Sequence, residues 1–312
     1  MIEQPLANLD AWVRYFETST LPVLQKTHDS LIALQASGEG ATVQSLAAVA
    51  KHDALFALQI LRFLQRRRSS HQLTDVTTVE RVILMVGVDT LLAEYGQIVT
   101  VESLLAGHQP ALDAVRRVMQ RAHHAALCAD KWAAYRHDID NAEVMTAALL
   151  RDIAEILVGC FAPRLYQRIR AMQHADKRLR SPVAQKVVLG FPLIDLQLAL
   201  IEQWRLPPIL KMLMDEGHSE HPRVRTVATA VAFARHVANG WDDAALPDDF
   251  KEAAELTGLS ENETRKVTLQ ATERAAESWP WYAAEPNMPP PPPEPLTAED
   301  ATEDSGNASS AP

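Results

Sequence analysis

The stretch LGFPLIDLQLALIEQWRLPPILKML, residues 189–213, carries the pattern that decides the fold. Its apolar residues recur at intervals of three and four, as they do on one face of a helix. Pro207 and Pro208 interrupt the pattern, and proline is well suited to the first turn of a new helix because its missing N–H is not needed there. We therefore predict one helix over 193–204 and another over 207–215.

The same spacing extends outward through most of the chain, while the alternating pattern of a strand is nearly absent. The sequence therefore predicts an all-α fold. Asp53 is expected to cap one helix, and Gly258 with Ser260 and Glu263 is expected to end one helix and start the next. Further helices are predicted over 5–17, with Trp12, Tyr15 and Phe16 as anchors, after Pro22, on both sides of a break at His52–Asp53, on both sides of Gly87–Asp89, and over 110–136, 140–159, 162–175, 181–189, 222–239, 247–257 and 260–278.

Composition and charge restrict the class of protein. The 312 residues carry a net charge of -10, which argues against general nucleic-acid binding because that function needs a basic face. No segment offers ~18 consecutive apolar residues for a membrane span, and the N-terminus lacks the basic flank and apolar core of a signal peptide. Cys128 and Cys160 lie in apolar helical patterns and are expected to be free, buried thiols. We therefore expect a cytoplasmic protein that binds neither membrane nor nucleic acid.

The composition changes abruptly at the C-terminus. Residues 283–312 contain five consecutive prolines and six acidic residues but no Lys or Arg. Such a segment cannot bury a core, so it is predicted to be a disordered tail. It would act either as a solubilising tail or as a polyproline ligand for a partner.

Several blocks of the sequence resemble the HDOD domain family. In 189–213 the family pattern Leu-Gly-Phe-Asp-His-x-Glu-x-Gly-x-x-Leu-x-x-x-Trp-x-Leu-Pro is matched without a gap at Gly190, Phe191, Leu200, Trp204, Leu206 and Pro207. Four further blocks, TLPVLQKTHDSLIAL, VQSLAAVAKHDALFALQILRFL, TTVERVILMVGVDTLL and VMTAALLRDIAEILV, are similar to family segments and occur in the family order. Together the five blocks cover roughly residues 20–240.

The resemblance implies two packed helical lobes and a regulatory role. An orthogonal helical bundle is expected over about 20–108 and a degenerate HD-like bundle over about 110–282, with the N-terminal helix in 1–19 outside them. HDOD domains occur in bacterial regulators, often beside cyclic-di-GMP enzymes. The resemblance therefore implies a non-enzymatic signalling module that acts through protein partners, with no cofactor and an oligomeric state left open.

The second bundle resembles the HD phosphohydrolases, whose His and Asp side chains hold divalent metals. Only some of the matching positions keep a metal ligand in this chain. The first histidine falls at His124, with His123 as the neighbouring alternative. The other positions are Arg151 and Asp152, Leu193, Gly217 and His218, and Arg235.

The losses leave three hypotheses for this site. Arg is always protonated and cannot bind a cation, so we expect no metal, and Asp152 is predicted to face the interior near His124, paired with Arg151 or Arg235. A vestigial pocket that binds an anion or nucleotide is the second hypothesis. A metal-dependent phosphohydrolase is the third.

Two surface features are candidate partner contacts. The run Arg66, Arg67 and Arg68 is either a partner site or a solvated helix end, where cations suit the helix dipole. Trp279 and Trp281, in the cluster WPWY at 279–282, either bind a partner or pack the last helix onto the core.

Overall fold

The computed structural model describes residues 1–67, 76–136, 140–176 and 178–283. Within these ranges the protein is all-α, as predicted, and its single β-type contact is an isolated parallel bridge between Val23 and Thr100. The first helices are α1 (Leu9–Thr18), α2 (Gln25–Ala36), α3 (Val43–His52), α4 (Ala54–Arg67), α5 (Val79–Val86), α6 (Val88–Tyr95) and α7 (Val101–Leu104).

A second set of helices surrounds α8 (Gln109–Ala133), the longest helix in the described part of the chain. Helix α8 packs against both lobes, since it contacts α3 and α4 on one side and most of the second lobe on the other. The remaining helices are α9 (Asn141–Leu150), α10 (Ile153–Phe161), α11 (Pro163–Ala175), α12 (Ser181–Leu189), α13 (Leu193–Gln203), α14 (Pro208–Met214), α15 (Pro222–Val237), α16 (Leu246–Thr257) and α17 (Glu261–Glu277).

The predicted helix boundaries at Asp53 and at Gly258–Ser260 are confirmed. Asp53 Oδ1 accepts hydrogen bonds from the backbone N–H groups of Leu55 and Phe56, at 3.0 and 3.1 Å, as an N-cap does. Gly258 ends α16 in the left-handed conformation, and Ser260 and Glu263 form the predicted capping box of α17.

Helix α1 lies against α13, so the N-terminal helix is part of the hydrophobic core rather than an outer attachment. Trp12 and Phe16 are completely buried, and Tyr15 contacts the ring of Phe161 edge-on at 5.9 Å. The prediction of a helix with these three anchors is therefore confirmed, although the helix begins at Leu9 and not at residue 5.

The predicted single helix over 140–159 is wrong. The chain forms two helices, α9 and α10, with a break at Arg151 and Asp152. The apolar spacing continues across the break, which is why the sequence pattern does not show it. The break places the two charged residues at a corner between helices.

Two other predictions are only partly addressed by the structure. The proposed tail at 283–312 lies outside the described residues except for Ala283. In the described part of the chain, no single helix is long and apolar enough to cross a membrane. Helices α12 and α13 meet this requirement only when they are taken together, and the pair is bent by 72°. Cys128 and Cys160 are free and buried, as predicted.

Candidate functional site

The corner between α9 and α10 is held by a side chain from α13. Gln197 is 2% exposed, and its amide nitrogen donates to the carbonyl of Leu150 at 2.8 Å. Its amide oxygen accepts from the N–H of Ala154, also at 2.8 Å. Both backbone groups lie at helix ends and lack partners within their own helix. Gln197 therefore fixes the two helix ends on either side of Arg151 and Asp152.

Asp152 pairs with Arg121, which projects from α8. Arg121 Nη2 lies 3.0 Å from Asp152 Oδ2 and 3.1 Å from Glu155 Oε2. The Tyr166 hydroxyl of α11 donates to the other oxygen of Glu155 at 2.8 Å. One guanidinium thus bridges two carboxylates, and the network joins α8, α10 and α11.

The network lies mostly beneath the surface, with the side chains of Arg121 and Asp152 only 15% and 16% exposed. Burial by itself would raise the pKa of Asp152, but the guanidinium groups of Arg121, Arg151 and Arg235 hold that pKa below its ordinary value. Burial together with Glu155 raises the pKa of the Tyr166 hydroxyl well above its usual value. Asp152 therefore remains a carboxylate and Tyr166 a neutral donor at physiological pH.

The arginine predicted to pair with Asp152 was the wrong one. Arg151 pairs instead with Glu216 at 2.6 Å, and Arg235 is exposed on α15. Arg121 was missed because it stands at no position of the family pattern. The available signal was the spacing of Asp152 and Glu155, since carboxylates three residues apart share a helix face and, when buried, need a cation.

His124 belongs to a different contact from the one predicted. Its Nε2 lies 2.9 Å from Thr272 Oγ1 of α17. Because the Thr272 hydroxyl donates to the carbonyl of Thr268, it accepts from His124, which fixes the Nε2–H tautomer. Burial lowers the pKa of His124 to about 4, so the ring is neutral. No contact with Asp152 is present, and His124 packs edge-on against Phe233.

His123 lies in an aromatic stack that packs the C-terminal turn, a 3₁₀ turn at Trp279–Tyr282, against the rest of the protein. The rings of Trp281 and His52 stack at 4.4 Å, and those of His52 and His123 at 4.6 Å. The Tyr282 hydroxyl donates to the carbonyl of His52 at 2.9 Å. Trp279 and Trp281 are half-buried against the core, so the packing alternative describes them. Trp281 and His52 also line an open, mostly apolar cavity of about 450 Å³ beside α2 and α3.

Leu193 and His218 lie apart from this network. Leu193 is 7% exposed and belongs to the hydrophobic core at the start of α13. His218 ends a 3₁₀ turn at Glu216–His218, with its side chain 52% exposed and Nδ1 3.4 Å from Asp215. Of the predicted positions, Arg151 and Asp152 stand at the corner, Arg235 acts on Asp152 through its charge, and Leu193, His124 and His218 make no contact with Asp152.

A comparison of the sequence with protein-family models gives a match to the HDOD domain over residues 21–220. This range is more than half of the chain. The chain belongs to the HDOD domain family. No curated protein matches the sequence.

Solved structures share the fold of this chain. The MmoQ response regulator from Methylococcus capsulatus is 18% identical, with 80% of this chain and 98% of that chain covered and a TM-score of 0.62. A virulence factor from Campylobacter jejuni is 17% identical, with 87% and 100% covered and a TM-score of 0.59. At these identities the likeness concerns the fold.

The metal site of the HD phosphohydrolases does not fit this HDOD domain. Of the residues at the matching positions, Arg151, Arg235 and Leu193 cannot bind a cation, and His124 is turned toward Thr272. The carboxylate of Asp152 is already neutralised by Arg121. Among the described residues no group of three or more His, Cys, Asp or Glu side chains is placed to hold a metal ion.

The arginine run at the end of α4 is only partly described. Arg66 and Arg67 are exposed, with Arg66 Nη2 4.0 Å from Glu94 and the Arg67 guanidinium over the ring of Phe63. Arg68 lies outside the described residues. Arg66 and Arg67 remain candidate partner contacts of this HDOD domain.

Proposed function

We propose that this HDOD protein is a non-enzymatic module of bacterial signal transduction that acts through contacts with a partner protein. The observation that carries the proposal is the position of Arg121, whose guanidinium bridges Asp152 and Glu155. A guanidinium in this position opposes a second cation, because the carboxylates that would attract a metal are already paired. We therefore propose that this lobe acts as a binding surface for a partner protein.

A hydrolysis assay with added metal tests the absence of catalysis. Purified protein would be supplied with Mn²⁺ or Fe²⁺ and assayed with bis(p-nitrophenyl) phosphate and cyclic-di-GMP. We expect no metal-dependent turnover from the native chain or from Arg121→Met, in which the two carboxylates lose their cation. Turnover by the native chain that disappears in Asp152→Asn would favour the phosphohydrolase hypothesis instead.

The signalling pathway is proposed from the family resemblance, in which such domains occur beside cyclic-di-GMP enzymes. We infer that the partner, and not this chain, handles the nucleotide. Calorimetric titration of the protein with cyclic-di-GMP and guanosine phosphates is expected to show no binding at high micromolar concentrations. Binding in that range, weakened in Arg235→Ala, would support a nucleotide sensor instead.

The partner itself is accessible by affinity capture with the full chain. Substitution of the exposed Arg66 and Arg67 by Glu is expected to reduce recovery of the partner if these candidate contacts form the interface. The exposed Lys266 on α17 provides a matched charge control. A partner retained equally by all variants would place the interface elsewhere on the surface.

A further inference from the structure

Helices α11 and α12 form an antiparallel pair whose exposed side chains are strongly basic. This basic hairpin stands out in a chain that has a net charge of -10. Asp176 is the one acidic residue between positions 163 and 190. The exposed cations in the described part of the hairpin are Arg164, Arg168, Arg170, Arg178, Arg180 and Lys186.

Within the described part of the chain, most of these cations have no carboxylate partner. Arg164 pairs with Glu3 at 2.6 Å. For the other five, no ion pair or hydrogen bond to a carboxylate is present among the described residues.

Two valines on α12 add an apolar component to the basic hairpin. Val183 and Val187 are 51% and 60% exposed and lie four residues apart, so they share one face of the helix. A surface that combines unpaired arginines with exposed valines suits a peptide with acidic and apolar side chains better than a bare phosphate backbone.

The chain contains such a peptide in residues 284–312. Glu294, Leu296, Glu299, Asp300, Glu303 and Asp304 supply acidic and apolar side chains, and the segment has no Lys or Arg. The segment follows Ala283, whose carbonyl accepts from Arg116 Nη1 of α8 at 3.4 Å. The neighbouring Val115 lies beside Gly159, which Tyr166 of α11 also adjoins. The described chain therefore ends beside α8, which also packs against α11.

The C-terminal segment is long enough to reach the basic hairpin. The sixteen residues from 284 to 299 span up to about 55 Å when extended, which exceeds the length of any helix in the described part of the chain. A tether of this kind gives an effective concentration on the order of millimolar, so several weak ion pairs are enough to populate the contact.

From this charge complementarity we propose that the acidic segment 294–304 binds to the basic hairpin of its own chain. The bound segment covers the arginines and the two valines, and an acidic partner that uses this surface displaces it. The inference goes beyond the proposed function and does not depend on the absence of catalysis.

Photo-crosslinking in the full-length protein tests the contact directly. p-Benzoylphenylalanine replaces Leu296, and mass spectrometry of the digested product locates the crosslinks. We expect them to concentrate within residues 163–190 of the same chain at low micromolar protein. In 1 M NaCl, where the Debye length is about 3 Å, the yield is expected to fall about tenfold.

Charge reversal tests whether the basic hairpin is the surface that binds the acidic segment. Arg168, Arg170, Arg178 and Arg180 are replaced together by Glu, and we expect a loss of crosslinks similar to that in high salt. The matched control reverses four exposed cations elsewhere, Arg14, Lys26, Lys251 and Lys266, and is expected to keep the crosslinks. Equal loss in both variants, crosslinks scattered over the protein, or crosslinks only between two chains would overturn the proposal. So would binding of an oligonucleotide to the hairpin of the native chain while Leu296 stays free.

Discussion

The bridge formed by Arg121 makes the stability of the protein depend on the protonation of Asp152. Its arginine neighbours hold the pKa of Asp152 below the ordinary value, so the unfolded chain takes up a proton more readily than the folded chain. The stabilisation is therefore present above the ordinary pKa of an aspartate and is lost as the pH falls through the lower, folded value. Asp152→Asn is expected to lower the free energy of unfolding by about 1–3 kcal/mol at pH 7, and by progressively less as the pH falls toward 3.

Urea unfolding at the two pH values measures this effect. Glu273→Gln serves as the control, since Glu273 is exposed on α17 and makes no ion pair among the described residues. A cost of Asp152→Asn that is the same at pH 7 and pH 3 would contradict the role assigned to the ion pair.

Sequence reasoning placed an arginine beside Asp152 but chose it from the positions of lost metal ligands. Those positions were matched through the resemblance to HD phosphohydrolases, and in the structure neither Arg151 nor Arg235 forms the ion pair with Asp152. Arg151 points to Glu216, and His124 to Thr272. The pairing depends on which face of α8 meets α10, and a single sequence does not specify this interhelical contact.

At the scale of elements, Gln197 is the side chain that holds the corner between α9 and α10. The family pattern quoted above has glycine at this position, whereas Gln197 has an amide that forms hydrogen bonds with the ends of two helices. Gln197→Leu keeps a similar volume but leaves the carbonyl of Leu150 and the N–H of Ala154 unpartnered in the interior. We expect a loss of about 2–5 kcal/mol in the free energy of unfolding, since each buried unsatisfied group costs about 1–3 kcal/mol.

Chemical denaturation followed by circular dichroism measures the loss. Gln203→Leu is the matched control, because Gln203 is exposed at the end of the same helix. If both variants lose the same amount, the two hydrogen bonds of Gln197 do not hold the corner.

Most helices could be predicted from the sequence because their ends carry local signals. Asp53, Gly258 and Ser260 act within a few residues of the ends that they define. The corner at Arg151 and Asp152 has no such signal, since its stabilising partner is more than 40 residues away on α13. The spacing of apolar residues along the sequence does not reveal a helix cap whose side chain comes from a distant position.

For the whole molecule, the folding unit is larger than the segment that matches the family model. The model covers residues 21–220, but the core includes Phe16 of α1 and Tyr282 of the C-terminal turn, which are 0% and 1% exposed. Residues outside the family range therefore stabilise the helices inside it. The limits of the cooperative unit follow from burial, and they lie near the first residues and near residue 283.

Two truncations locate the C-terminal limit. A chain that ends after residue 283 keeps Tyr282 and the stack of Trp281 on His52, and it loses the acidic segment that we propose to bind the basic hairpin. Its melting temperature is expected to stay within about 2 °C of that of the full chain, because exposed ion pairs contribute little. A chain that ends after residue 278 loses a buried tyrosine and leaves the carbonyl of His52 without its donor.

For that shorter chain we expect a loss of about 3–5 kcal/mol, which corresponds to a decrease of roughly 6–15 °C in the melting temperature. Differential scanning calorimetry of the full chain and the two truncated chains measures both effects under one set of conditions. A large decrease already after residue 283 would mean that residues 284–312 pack into the core. Equal stability of all three chains would mean that the C-terminal turn does not contribute to the free energy of unfolding.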